Sequence, residues 1–117
     1  MINYNIKINK FGDKTYYLND ILHREDGPAV ESANGNKAWY KNGQCHREDG
    51  PAIERTNGDK LWYKNGKLHR EDGPAIELTG GEKAWYLNDK CYGYNNDFND
   101  DFTNESWIKF VKTLIFS

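Results

Sequence analysis

The sequence predicts a mainly β protein, an antiparallel meander of repeated hairpins closed by a C-terminal α-helix cap, and three observations predict it. The string HREDGPA occurs at His23, His46 and His69, so a period of 23 residues runs through the chain. Turn pairs such as Asn57-Gly58 and Asn65-Gly66 divide a period into two strand-like runs. Beyond the last period, Trp107, Phe110, Val111, Leu114 and Ile115 recur at helical spacing.

The period extends well past the heptapeptide. It aligns Gly12, Gly35, Gly58 and Gly81; Tyr16, Trp39, Trp62 and Trp85; Tyr17, Tyr40, Tyr63 and Tyr86; and Asn19, Asn42, Asn65 and Asn88. Lysines at 14, 37, 60 and 83 share a further slot. Residues 1–92 are therefore assigned to the hairpin repeats and 93–117 to a connector and an amphipathic helix packing on the last repeat. Within one unit, AIER and KLWYK read as the strands. Proline lacks an N–H, which places Pro28, Pro51 and Pro74 just ahead of the short strands AVE, AIE and AIE. Thr103 or Asn104 is suited to cap the helix, and Glu105 favours the positive end of its dipole.

Of the 117 residues, 37% are hydrophobic and 15% aromatic, so the core relies on a few large rings. A net charge of −2, with both signs interspersed, lacks the basic field that nucleic-acid binding requires. No window approaches the apolar length of a membrane span, and the N-terminal stretch has no signal-peptide run. The expectation is a soluble, cytoplasmic chain with no nucleic-acid partner and no stable membrane insertion.

The 23-residue period, the hairpin per unit and the pattern G-x-K-x-W-Y-x-N-G-x-x-H-R-E-D-G-P-A resemble the MORN repeat class, and more closely its HREDGPA-type variant of phage and giant-virus proteins. The resemblance covers roughly three quarters of the chain. It implies elongated hairpin sheets that serve as interaction or membrane-proximal modules, and a viral accessory protein acting on a host protein in the host cytoplasm. The Tyr-x-Gly opening of the common MORN unit is missing, so phosphoinositide binding is not carried over.

His, Arg, Glu and Asp are side chains of acid–base catalysis, but three equal copies on a regular sheet would make three separate sites without a convergent pocket. Neighbouring copies, two strands apart, lie roughly 10 Å from one another, too far for one zinc ion to join two histidines. The expectation is architecture: Asp26, Asp49 and Asp72 accept turn N–H groups, while Arg and Glu pair as a ladder. No catalytic residue, metal or cofactor is assigned. Cys45 and Cys91 occupy the slot of Leu22 and Leu68, two periods apart, and are expected as free, semi-buried thiols. Asp97, Asn99 and Asp101 match the start of a calcium loop, but Phe102 and Ile108 stand where Gly and Glu are required.

Adjacent strand residues point to opposite faces, so rings line both faces of the sheet. Either Lys60 and Lys64 cover Trp62, with their counterparts doing the same elsewhere, or one aromatic column stays exposed as a binding surface. The candidate surface comprises Trp39, Trp62 and Trp85, Arg24, Arg47 and Arg70, and His23, His46 and His69. A non-enzymatic module binding another protein is the leading reading. A binder of small anionic or nucleotide-like ligands, with Arg on phosphate and Trp stacking, is the alternative.

Overall fold

In each unit the dominant local choice is made at two unlike turns. Asn42-Gly43 and Asn65-Gly66 both place two consecutive residues at positive φ, 52° and 79° in the first pair and 53° and 80° in the second. That is the tight two-residue hairpin geometry, in which Asn tolerates the left-handed region and Gly adopts it freely. The Asn57-Gly58 turn differs from expectation. Only Gly58 is at positive φ, 103°, and Arg55 and Asp59 close a longer loop in which Gly58 N–H donates to the Arg55 carbonyl.

The computed structural model describes residues 2–95 and 103–116, the last two by backbone alone. It is mainly β with one C-terminal helix. The first hairpin pairs β1 (Asn5–Ile8) with β2 (Lys14–Leu18), and β3 (Ile21–Leu22) returns along the far half of β2. The next repeats contribute β4 (Val30–Glu31) and β5 (Lys37–Ala38), then β8 (Ile53–Glu54) and β9 (Lys60–Leu61). Small hairpins leave the main sheet between them: β6 (Tyr40–Lys41) with β7 (Gln44–Cys45), and β10 (Tyr63–Lys64) with β11 (Lys67–Leu68). β12 (Ile76–Glu77), β13 (Lys83–Leu87) and β14 (Lys90–Asn95) complete the series. Among the described residues they form a ten-stranded antiparallel sheet in meander order, with the two small hairpins as separate ribbons.

The run KLWYK, expected as one strand, divides at its tryptophan. Trp62 N–H donates to the Ala75 carbonyl, on the next repeat's side, while the Trp62 carbonyl accepts His69 N–H from its own return strand. Trp39 is placed identically between Ala52 and His46. The chain thus changes partners at each ring, and the far hairpins form a second strip. Its turns join along the stack, with Gly43 N–H on the Leu22 carbonyl and Gly66 N–H on the Cys45 carbonyl, both at 2.9 Å. Side chains add a second link between repeats: Asp13, Asn36 and Asp59 accept the N–H groups of Ala33, Thr56 and Thr79.

The helix α1 (Asn104–Phe116) starts at Thr103, whose Oγ1 accepts Ser106 N–H at 3.2 Å while Ser106 Oγ accepts Thr103 N–H at 3.1 Å. This reciprocal pair is a capping box with Ser in the place of Glu. Trp107 and Val111 are buried against Trp85, with Leu87 and Tyr92 around them. Phe110 and Leu114 of the expected stripe stay partly exposed, at 39% and 44%, with the Phe110 ring against Tyr92 and Trp107, and the Ile115 side chain lies outside the described residues. None of the described helices is long and apolar enough to cross a membrane.

Candidate functional site

The three HRED loops lie along one side of the stack, and every letter of HREDGPA has a task there. The histidine serves the turn of the next repeat: His23, His46 and His69 accept the N–H groups of Asn42, Asn65 and Asn88 at their Nδ1 atoms, at 2.8, 2.9 and 3.1 Å. In the first two repeats this leaves the proton on Nε2, which donates to Glu25 or Glu48 at 2.8 Å. These glutamates also meet Lys41 and Lys64 of the following repeat. The His23 hydrogen bond, aided by Lys41, holds Glu25 below its ordinary range. Burial opposes the same shift at Glu48, but Lys64 and His46 outweigh it.

The arginines are clamps. Arg24, Arg47 and Arg70 lay their guanidinium groups over Tyr16, Trp39 and Trp62, 3.9, 3.8 and 3.8 Å from the ring centroids. Each Nε donates to the aspartate of its own loop at 2.9–3.0 Å, and each Nη1 donates to the proline carbonyl at 3.0–3.1 Å. Nη1 also pairs with Glu31, Glu54 or Glu77. The motif glycine makes room for this clamp. A Cβ at Gly73 would come within 2.7 Å of Arg70 Cζ, one at Gly27 within 2.9 Å of Arg24 Cζ, and one at Gly50 within 3.1 Å of Arg47 Cζ. The alanines Ala29, Ala52 and Ala75 are fully buried where the strand pairing changes hands.

Three expectations change on this geometry. The aspartates take Arg Nε rather than turn N–H groups, because the rigid guanidinium fork reaches them within the loop while the histidine is already seated at the turn. Arginine, not Lys60 and Lys64, covers Trp62, and Lys64 is drawn off to Glu48 instead. Cys91 is exposed, whereas Cys45 is buried and its thiol is pushed up to about 11 by that burial. Both thiols are free. The calcium-loop candidates Asp97, Asn99 and Asp101 lie outside the described residues. Among the described residues no group of three or more His, Cys, Asp and Glu side chains could hold a metal ion.

Grooves lie between the loops, and no local sequence pattern announces them because they are made by loop spacing. The first, about 610 Å³, lies between the Arg24 and Arg47 loops with Trp39 and Lys41 in its lining. The second, about 500 Å³, lies between the Arg47 and Arg70 loops with Trp62 and Lys64. His46 and His69 line them as well, while His23 is buried beneath the first loop. Trp85 lies closed beneath α1. Position 93, where a further HRED arginine would fall, is Gly93, and the helix covers the ring instead, leaving it 1% exposed. Trp85 Nε1 donates to Asn104 Oδ1 and Trp107 Nε1 to the Arg70 carbonyl, both at 3.2 Å. Trp85 therefore leaves the candidate surface, and Trp39 and Trp62 stay on it.

Charge is sorted by depth. Side chains of Arg24, Arg47 and Arg70 are 18–21% exposed, while Asp26, Asp49 and Asp72 are 72%, 86% and 82% exposed. The outward rim carries the aspartates, each paired to the Nε of the arginine beneath it, while each Nη1 turns inward to a proline carbonyl. Compared with known protein families, curated proteins and solved structures, the chain matches none.

Proposed function

We propose that the chain is a non-enzymatic interaction module that holds a protein partner along the row of HRED loops. The observation that carries this is the pair of equivalent grooves, each floored by a half-buried tryptophan and sharing the Arg47 loop as a common wall. Equivalent grooves in series suit one extended surface better than one reacting atom, since catalysis draws an asymmetric set of groups around a single point. The histidines and arginines are occupied with holding turns and rings, which leaves them little part in proton transfer or in gripping a small anion. From the resemblance to phage and giant-virus repeats, a host-cell protein in the cytoplasm is the partner we put forward.

The test is affinity capture with two baits, the native chain and a Trp39→Leu/Trp62→Leu double variant of unchanged circular dichroism. A protein retained by the first and lost from the second supports the reading. Equal retention by both would show that the grooves are not the contact surface.

A further inference from the structure

Resting on that reading, we infer that the partner presents a cationic polyproline-II segment, with a basic side chain at every third residue, running along the stack across both grooves. Two observations lead there, one of charge and one of length.

The charge lies at the rim. Each groove is walled by two Glu-Asp pairs, and the aspartates reach solvent while the arginines lie beneath them on the rings. Lys41 and Lys64 are drawn to Glu25 and Glu48. Glu71 has no lysine in that slot, because position 87 is Leu87, so the far wall of the second groove is the more acidic. A cation entering either groove meets the exposed carboxylates at the rim, which attract it, while the indole below already carries the Arg47 or Arg70 guanidinium on its face.

The length is the repeat itself. Equivalent loops are two strands apart, or about 9.6 Å at the usual strand spacing. A polyproline-II helix advances about 9.3 Å per turn of three residues, so residues i and i+3 project to the same side at nearly the loop interval. A β-strand covers a similar distance in three residues, but it turns residue i+3 to the opposite face. An α-helix rises only about 4.5 Å in three residues. Only the threefold form drops successive side chains into successive grooves while its backbone passes over the loop between them. The repeated tryptophan floor suits such a helix, which docks on aromatic grooves with little entropy to lose.

The probe is a labelled peptide of about four Arg-Pro-Pro units, titrated onto the full chain by fluorescence anisotropy, with Glu-Pro-Pro and Arg-Gly-Gly peptides of equal length beside it. Arg-Pro-Pro is expected to bind, more weakly as salt rises, and at least about tenfold better than either control. Glu71→Lys, which alters an exposed side chain, is expected to weaken it about fivefold, and Lys64→Met, which removes a competing cation, to strengthen it. Arg-Gly-Gly binding as well as Arg-Pro-Pro would overturn the polyproline geometry, and indifference to Glu71→Lys and Lys64→Met would overturn the charge assignment. If none of the peptides binds while a captured protein still depends on Trp39 and Trp62, the cationic-segment inference falls and the interaction module stands. If that dependence is also missing, the module reading falls with it.

Discussion

At the residue scale the HREDGPA string is a folding device in which the side chains constrain one another. Arginine is held between an indole or phenol face and a glycine backbone, so the glycine is required for space and not for a left-handed conformation. Gly73→Ala is expected to lower stability by about 1–3 kcal/mol, because the added methyl displaces Arg70 from Trp62. The measurement is a denaturant titration, and a change below about 0.5 kcal/mol would mean the clamp gives way without loss. His46→Ala removes the acceptor of the Asn65 turn and should cost about 1–2 kcal/mol, whereas Asp49→Ala removes a largely exposed ion-pair partner and should cost about 1 kcal/mol or less. Melting temperatures ranked the other way would return the turn-holding task to aspartate. The aligned histidines, arginines and aspartates were readable from sequence spacing, but their partners were not. Which acceptor reaches a turn N–H 19 residues away depends on how the loop folds back, and no periodicity states that.

Acid sensitivity belongs to the same scale. Burial lowers the pKa of His69 from its ordinary value, with Glu71 opposing, and only the neutral ring accepts Asn88 N–H at Nδ1. A depressed folded-state pKa gives stability that is complete above the unfolded value, about 6.5, and declines as pH falls through the lower folded value. Melting temperature is therefore expected to drop on going below about pH 6.5, ahead of the further loss at lower pH as Glu25 and Glu48 take up protons. His69→Asn supplies an oxygen acceptor that does not titrate in this range, and it should flatten the first decline. An unchanged pH profile in that variant would place the acid sensitivity elsewhere.

At the element scale, the hairpin and the helix differ in how far the sequence discloses them. The Asn-Gly turns and the apolar spacing of Trp107, Val111 and their neighbours identify the element types, and Thr103 is one of the two residues expected as the cap. The division of KLWYK at Trp62 was hidden, because a residue that bonds to different strands through its N–H and its carbonyl has the same local pattern as any strand residue. The extent of the helix's buried face was hidden as well, since it depends on the shape of the Trp85 surface that the helix seals. Trp107→Ala should cost about 3–5 kcal/mol and leave Trp85 open to water. Tryptophan emission shifting to the red at temperatures below the melt would show this opening, and an unshifted spectrum would mean that Trp85 is covered without Trp107.

At the scale of the whole molecule, the stack is a slab of 46 × 33 × 19 Å whose ends are treated differently. The last ring is sealed by α1, while at the first edge β1 leaves Ile6 and Ile8 exposed. Between the ends, the repeat places two tryptophan-floored grooves beneath exposed aspartates that are each paired to an arginine. Whether these grooves act together as one surface is decided by titrating a captured partner against Trp39→Leu, Trp62→Leu and the double variant, each shown by circular dichroism to be folded. With one shared surface, each single change is expected to weaken binding to a similar degree and the double change to weaken it by about the product of the two. Complete loss from one replacement, with the other leaving affinity untouched, would contradict it and point to a single site in one repeat.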